Sequence, residues 1–208
     1  MATLLLVRHG ETDSNRLERF RGLDDVPLSG RGFEQAARLA KALSRRAIGE
    51  IVTSPLLRAR QTADAIAREI GLVPRVEPAL ADADFGDWTG RTLQEVRANW
   101  PREWETWISE PERAAFPGGG SLADVRVRAS AAARALAARG QGAVAIVTHR
   151  VVLKLIVLDA LGLGPEAFWR LRVDTASVSE IVWEGSPQLV RLNDTSHLGE
   201  ACSCGKDF

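Results

Sequence analysis

Hydrophobic positions along the chain fall into two kinds of run, unbroken short stretches and stretches spaced at three and four. Leu4-Leu5-Leu6-Val7 and Ala143-Val144-Ala145-Ile146-Val147 are of the first kind. Four or five consecutive apolar residues fit strands covered on both faces, as in a parallel sheet packed between helices. Ile51-Val52-Thr53 is a shorter strand of the same sort, and Arg75-Val76-Glu77 is a further short candidate. In the second kind, Phe33, Ala36, Ala37, Ala40 and Leu43 recur at helical spacing, as do Leu56, Ala59, Ala63, Ile66, Ala67 and Ile70. Each set predicts a helix with one buried face. Ser54-Pro55 predicts an N-cap followed by proline at the first helical position of the second helix, and Gly71 its end.

Further along, Thr92 and Glu95 have the spacing of a capping box, so a helix is expected to begin there and to carry Trp100, Trp104 and Trp107 on one stripe. Ser121 predicts the cap of a long alanine-rich helix running to Arg139 and ended by Gly140. Val151 to Leu161 is a mostly apolar helix interrupted by Lys154 and Asp159. Ser177 to Trp183 and Gln188 to Leu192, joined by Glu184-Gly185-Ser186-Pro187, predict a hairpin at the sheet edge. The charged stretch Arg16 to Asp25 and the Asp- and Gly-rich stretch Pro78 to Gly90 read as loops. Strands alternating with helices in this way predict a three-layer α/β/α sandwich around a mainly parallel central sheet.

The length of 208 residues fits a single domain over 1–208, with a small cap-like insertion around 100–120 and a flexible tail around 199–208. Lysine plus arginine equals aspartate plus glutamate at 27 each, so no global field recruits nucleic acid or anionic lipid. Any affinity for anions must be local. No apolar run is long enough to span a bilayer, and residues 1–7 lack the pattern of a signal peptide, so a cytoplasmic protein is expected. Cys202 and Cys204 supply no disulfide framework, and together with His197 they lack the fourth ligand and the spacing of a zinc site.

Two of the buried strands end in a polar pair that contains a histidine, Arg8-His9 and Thr148-His149. Ligand sites in parallel sheets lie just beyond the carboxyl ends of strands. Arg8 offers a planar fork suited to phosphate or carboxylate oxygens, and imidazole is one of the few side chains able to act as a covalent nucleophile. Neighbouring strands lie about 5 Å apart, so if these two are adjacent, both imidazoles project over one pocket. Arg58 falls in the first turn of a helix that follows a strand, where backbone N–H groups and the helix dipole already favour an anion.

The run from Leu4 to Asn15, with Arg8-His9-Gly10 at its centre, resembles the opening signature of the histidine phosphatase superfamily, the phosphoglycerate mutase-like enzymes. Ser54-Pro55-Leu56-Leu57-Arg58-Ala59-Arg60-Gln61-Thr62-Ala63 is similar to the family's Ser-Pro-Leu-x-Arg-Ala-x-Gln-Thr-Ala segment. Thr148-His149 stands where the family has Ser- or Thr-His-Gly, with Arg150 in place of the glycine. Leu80 to Gly90 looks like the family's Leu-x-Glu-x-x-Phe-Gly-x-Trp-x-Gly, with Asp82 in the register of the glutamate and Asp84 as the second candidate. Asn15 and the run Arg21 to Leu28 occupy the places of the family's Asn and of its Gln-Gly-x-x-Asp-x-Pro-Leu, with Arg21 for the Gln. Gly120 replaces the glutamate of Pro-Gly-Gly-Glu-Ser.

This resemblance implies a phosphoglycerate mutase-like fold and a metal-independent phosphomonoesterase acting on a small phosphorylated metabolite. His9 would be the nucleophile that forms a phosphohistidine, and Asp82, or failing it Asp84, the proton donor. Arg8, Arg58 and His149 would meet the phosphoryl charge, with Asn15, Arg21 and Gly22 also lining the substrate. With arginines supplying the cations, no cofactor and no metal are expected. The other readings of the same residues are a phosphoglycerate mutase and a catalytically silent, phosphate-binding regulatory protein. Arg16, Arg19 and Arg21 are either a grip for a second anionic group or a solvated loop. Trp88, Trp100, Trp104 and Trp107 either line a cap or pack. The edge hairpin offers a place for a homodimer contact.

Overall fold

A computed structural model describes residues 1–139 and 142–201; the expectations for Gly140, Cys202 and Cys204 lie outside them. The strands are β1 (Ala2–Arg8), β2 (Ile48–Thr53), β3 (Arg75–Val76), β4 (Gly142–Thr148), β5 (Val178–Glu184) and β6 (Ser186–Asp194). They form one sheet in the order β3-β2-β4-β1-β5-β6. The first four are mutually parallel, β5 runs antiparallel to β1, and β6 antiparallel to β5. A mainly parallel sheet with an antiparallel edge hairpin is what the apolar pattern predicts.

The unbroken apolar runs follow from burial on both faces of this sheet. Leu4 and Leu6 of β1, Val52 of β2, and Val144 and Ile146 of β4 belong to one core cluster. That cluster includes side chains of α6 (Leu122–Ala138) and α7 (Arg150–Ala160). Leu5, Val7, Ile51, Ala145 and Val147 face the other way and pack with α2 (Gly30–Leu43) and α3 (Leu57–Ile70), the helices that follow the single-turn α1 (Asp13–Arg16). Successive residues of a strand point to opposite faces, so a strand covered on both sides has no polar position to spare.

Three local expectations are corrected. The helix predicted to start at Ser54-Pro55 starts at Leu57, with Leu56 as its N-cap, because the Ser54 hydroxyl is bonded to His149 and the Leu57 N–H is taken by the Asp25 carboxylate. The helix begun by the Thr92–Glu95 capping box is not continuous through the tryptophans. It splits into α4 (Leu93–Asn99) and α5 (Pro101–Ser109). Trp100, between them, is held at φ −132°, ψ 60°, since a proline ring disfavours the helical region for the residue before it. The second hairpin strand begins at Ser186 and reaches Asp194, the turn resting on Gly185 at φ 72°.

Residues 100–120 carry Trp107, Ala114 and Phe116 into the same cluster as Leu4 and Leu6. Trp88 and Trp107 are fully buried and meet Phe116 edge-on at 5.1 and 5.5 Å. Trp100 and Trp104 pack half-buried against that core. These rings are packing. Lys154, the charge inside the apolar run of α7, is fully buried, its ammonium 5.0 and 5.1 Å from the Phe168 and Trp169 rings. Among the described residues no helix is long and apolar enough to cross a membrane.

Candidate active site

β1 and β4 are neighbours in register, Arg8 opposite Thr148. The His9 N–H donates to the Thr148 carbonyl at 3.0 Å, which carries the pairing one residue past the strand ends. The two imidazoles that follow stand with ring centroids 5.2 Å apart, each only 1% exposed.

Nδ1 of His9 lies 2.6 Å from the Gly10 carbonyl. A carbonyl only accepts, so this nitrogen carries the hydrogen and Nε2 keeps its lone pair. Burial, then the charges of Arg58, His149, Arg21 and Arg8, push the His9 pKa well below its ordinary 6.5. The ring is therefore a neutral, oriented base. Gly10 itself is held by Thr62, whose hydroxyl accepts its N–H at 3.1 Å. Only glycine fits here and at the facing turn of α2: a Cβ on Gly10 would sit 2.6 Å from the Gly32 carbonyl, and one on Gly32 2.0 Å from the Glu11 carbonyl.

His149 is the N-cap residue of α7. Its Nε2 is 2.7 Å from Ser54 Oγ, and its Nδ1 faces Asp82 Oδ2 at 3.6 Å without a hydrogen bond. Burial, then Arg58, Arg21, Arg8 and Arg128, lower its pKa well below 6.5 as well.

Arg58, near the start of α3, is fully buried. Its guanidinium donates to the Asp24 carbonyl (2.8 Å), the Gly22 carbonyl (2.9 Å) and Asp82 Oδ2 (3.1 Å). Burial lowers its pKa against the opposing pull of Asp82. Arg8 is buried and donates to the Val173 carbonyl. Asp82 is 6% exposed, its Oδ1 accepting the Ala83 N–H. Asp84 is exposed and turned away to accept the Gly86 N–H. The fold thus gathers His9, His149, Arg8, Arg58 and Asp82, and leaves Asp84 out.

The remaining predicted positions divide. Arg21 is half-buried, donates to Thr12 Oγ1 at 3.4 Å, and its charge acts on both histidines. Gly22 presents its carbonyl to Arg58. Asn15 uses Oδ1 to accept from the Thr12 N–H and hydroxyl, at 2.9 and 3.0 Å, which fixes the His9 loop. Arg16 is exposed beside Asp13, and Arg19 donates to the Gly90 carbonyl, so of the three loop arginines only Arg21 reaches the histidines.

Two site residues escaped the sequence reading. Ser54 read as a helix cap. Arg128, on α6, donates to the carbonyls of Ala79 (2.6 Å), Ala81 (2.6 Å) and Asp82 (2.8 Å), clamping the segment that carries Asp82. Nothing distinguishes it locally from the solvated arginines of the same helix. Among the described residues no three His, Cys, Asp or Glu side chains converge as a metal site; the cations here are guanidinium groups.

The chain has known relatives of similar sequence and fold. Phosphoserine phosphatase 1 of Hydrogenobacter thermophilus is 37% identical over 202 residues, 96% of each chain. A probable phosphoglycerate mutase, GpmB of an Enterobacter species, is 33% identical over 95% of each. The structure of YhfR from Bacillus stearothermophilus superposes with a TM-score of 0.88 at 31% identity, covering 95% of this chain and all of that one. The family model of the histidine phosphatase superfamily, branch 1, matches residues 4–195. With the match spanning both strand-end histidines and both buried arginines, the chain belongs to the histidine phosphatase superfamily.

Proposed function

We propose that the protein hydrolyses a small phosphomonoester, with His9 as the nucleophile. The observation that carries this reading is the pair of buried imidazoles 5.2 Å apart, flanked by the buried guanidinium groups of Arg8 and Arg58. The His9 Nε2 lone pair attacks phosphorus as the P–O ester bond breaks, and the leaving oxygen takes the proton of the Asp82 carboxyl group. Water then attacks the phosphohistidine, giving its proton back to Asp82, and the P–N bond pair returns to Nε2. Arg8, Arg58 and His149 Nδ1 meet the charge on the equatorial oxygens, with Arg21 beside them. Preorganised donors of this kind dominate the catalysis of phosphoryl transfer. Support for Asp82 over Asp84 comes from its burial and its position facing His149, against the exposed Asp84 carboxylate that caps the next turn.

The test is phosphate release from an aryl phosphate and from a panel of metabolite monoesters, phosphoserine among them. His9→Ala should lose activity by about 10³-fold or more, and acid quench should trap a labelled phosphoenzyme only when His9 is present. Full activity in His9→Ala overturns the assignment. Assay with 3-phosphoglycerate, with and without a bisphosphoglycerate primer, separates hydrolysis from mutase chemistry: free phosphate is expected and isomerised product is not.

A further inference from the structure

Behind the nucleophile, the loop of residues 173–177 grips the end of β1 at three points. Arg8 donates its backbone N–H to the Ser177 carbonyl at 3.1 Å and its guanidinium to the Val173 carbonyl, and the Ala176 N–H donates to the His9 carbonyl at 3.1 Å. Whatever fixes this loop therefore fixes Arg8 and His9. Ala176, fully buried, stands at φ 54°, in the left-handed region that a residue with a Cβ resists. Such a conformation persists only where its surroundings over-determine it.

Those surroundings come from β6 and the residues after it. Between the pairs Val178–Asp194 and Glu180–Arg191, β6 carries one residue more than β5. An extra residue of this kind bends the strand and re-aims a side chain. Here Asn193 stands at φ 55°, its N–H donated to Ser179 Oγ at 3.0 Å. Its amide forms a reciprocal pair with Asp174: Nδ2 donates to Asp174 Oδ2 at 2.8 Å, and Oδ1 accepts the Asp174 N–H at 2.6 Å. Asparagine tolerates this backbone better than most residues and offers a donor and an acceptor side by side. Four residues on, His197 Nε2 lies 3.0 Å from the Ala176 carbonyl and so carries its hydrogen there. Leu198, fully buried in the cluster that holds Val7 and Ala176, anchors this segment.

Resting on the reading of His9 as nucleophile, we infer that Asn193 and His197 are positioning residues: through Asp174 and Ala176 they hold the loop that sets the His9 imidazole and the Arg8 guanidinium for attack on phosphorus. A purely stabilising role would lower the unfolding midpoint and leave turnover by the folded enzyme intact.

Asn193→Gly and His197→Ala separate the two roles. Glycine accepts the left-handed backbone, so the first variant keeps the bulge and loses only the amide pair. With an aryl phosphate, below the unfolding transition of each variant, kcat should fall by about 10-fold or more while KM changes by no more than about 3-fold, because a nucleophile displaced by a fraction of an ångström is felt in the transition state. His197→Gln, whose side-chain N–H reaches for the same carbonyl, should recover most of the loss. A second measurement needs no turnover. The chain has three histidines, so its imidazole nitrogen spectrum is assigned by single substitutions, and the His9 Nδ1 resonance, set by the bond to the Gly10 carbonyl, should shift or broaden in Asn193→Gly and His197→Ala. An unchanged kcat, or an unmoved His9 resonance, in both folded variants overturns the positioning role, and failure of His197→Gln to recover kcat overturns the part given to His197. If the wild type releases no phosphate from any compound, the reading of His9 as nucleophile fails, and the nitrogen spectrum alone then decides whether the loop is held in this way.

Discussion

Acidification should destabilise this fold through His9 and His149 by an amount that can be worked out in advance. Both imidazoles have pKa values held well below 6.5, by burial first and then by the surrounding guanidinium groups. The unfolded chain binds their protons near the ordinary value of about 6.5, whereas the folded chain does not. Stability from these groups is therefore fully present above that pH and is lost as the pH falls below it, until the depressed folded pKa is reached. Between about pH 7.5 and about pH 5.5 the loss integrates to about 1.4 kcal/mol for each histidine that stays neutral in the fold, or about 2.7 kcal/mol for the pair. Urea titrations followed by tryptophan fluorescence can read it, because Trp88 and Trp107 are buried. Phosphate-free buffers are needed, since an anion that binds only the folded state would offset the loss. The control is His9→Gln/His149→Gln, in which neutral amides replace the rings and cancel the contributions of His197 and the carboxylates. Wild type should lose about 2–3 kcal/mol more than the double variant over this interval. Equal losses would mean that the rings titrate normally in the folded protein, and the picture of two neutral imidazoles among arginines would be wrong.

Other outcomes follow from individual contacts. Ser54→Ala removes the hydroxyl that holds His149 Nε2 at 2.7 Å and so orients the ring whose Nδ1 faces Asp82. The loss of this buried bond, about 1–3 kcal/mol, should appear as a fall in kcat of about 10- to 100-fold, recovered by Ser54→Thr. Arg128→Met should act on Asp82 as a positioning change: kcat falls by about 10-fold or more and its pH profile shifts, while KM moves little. Equal changes in kcat and KM with an unshifted profile would refute that role. Gly32→Ala forces a Cβ to 2.0 Å from the Glu11 carbonyl and should cost about 1–3 kcal/mol or more in chemical denaturation. Gly30→Ala meets nothing within 4 Å and should be neutral or stabilising by up to about 1 kcal/mol.

The elements were legible because their signals are local. An unbroken apolar run has one sensible home, a strand covered on both faces, and β1 and β4 occupy it; helical spacing likewise marked the buried faces of α2 and α3. Even the break at Trp100 was written in the chain, since Pro101 follows it. The polar ends of the two strands named His9 and His149 as the residues to watch. Their adjacency was not legible. Strand pairing joins segments from opposite ends of the chain, and no residue of β1 encodes that β4 lies beside it. The same holds for Ser54, where a local preference for capping lost to a bond with His149. It holds in part for Asp82 and Asp84: register with the family pattern favours Asp82, but nothing local to Asp-Ala-Asp shows which side chain turns inward. Arg128 makes the point most sharply: it looks like any surface arginine until the fold sets it against three backbone carbonyls. Periodicity is carried by neighbours a few residues apart, and so the sequence alone determined the layers. The electrostatics of the site depend on distances between groups remote in sequence, and only the tertiary structure decided those.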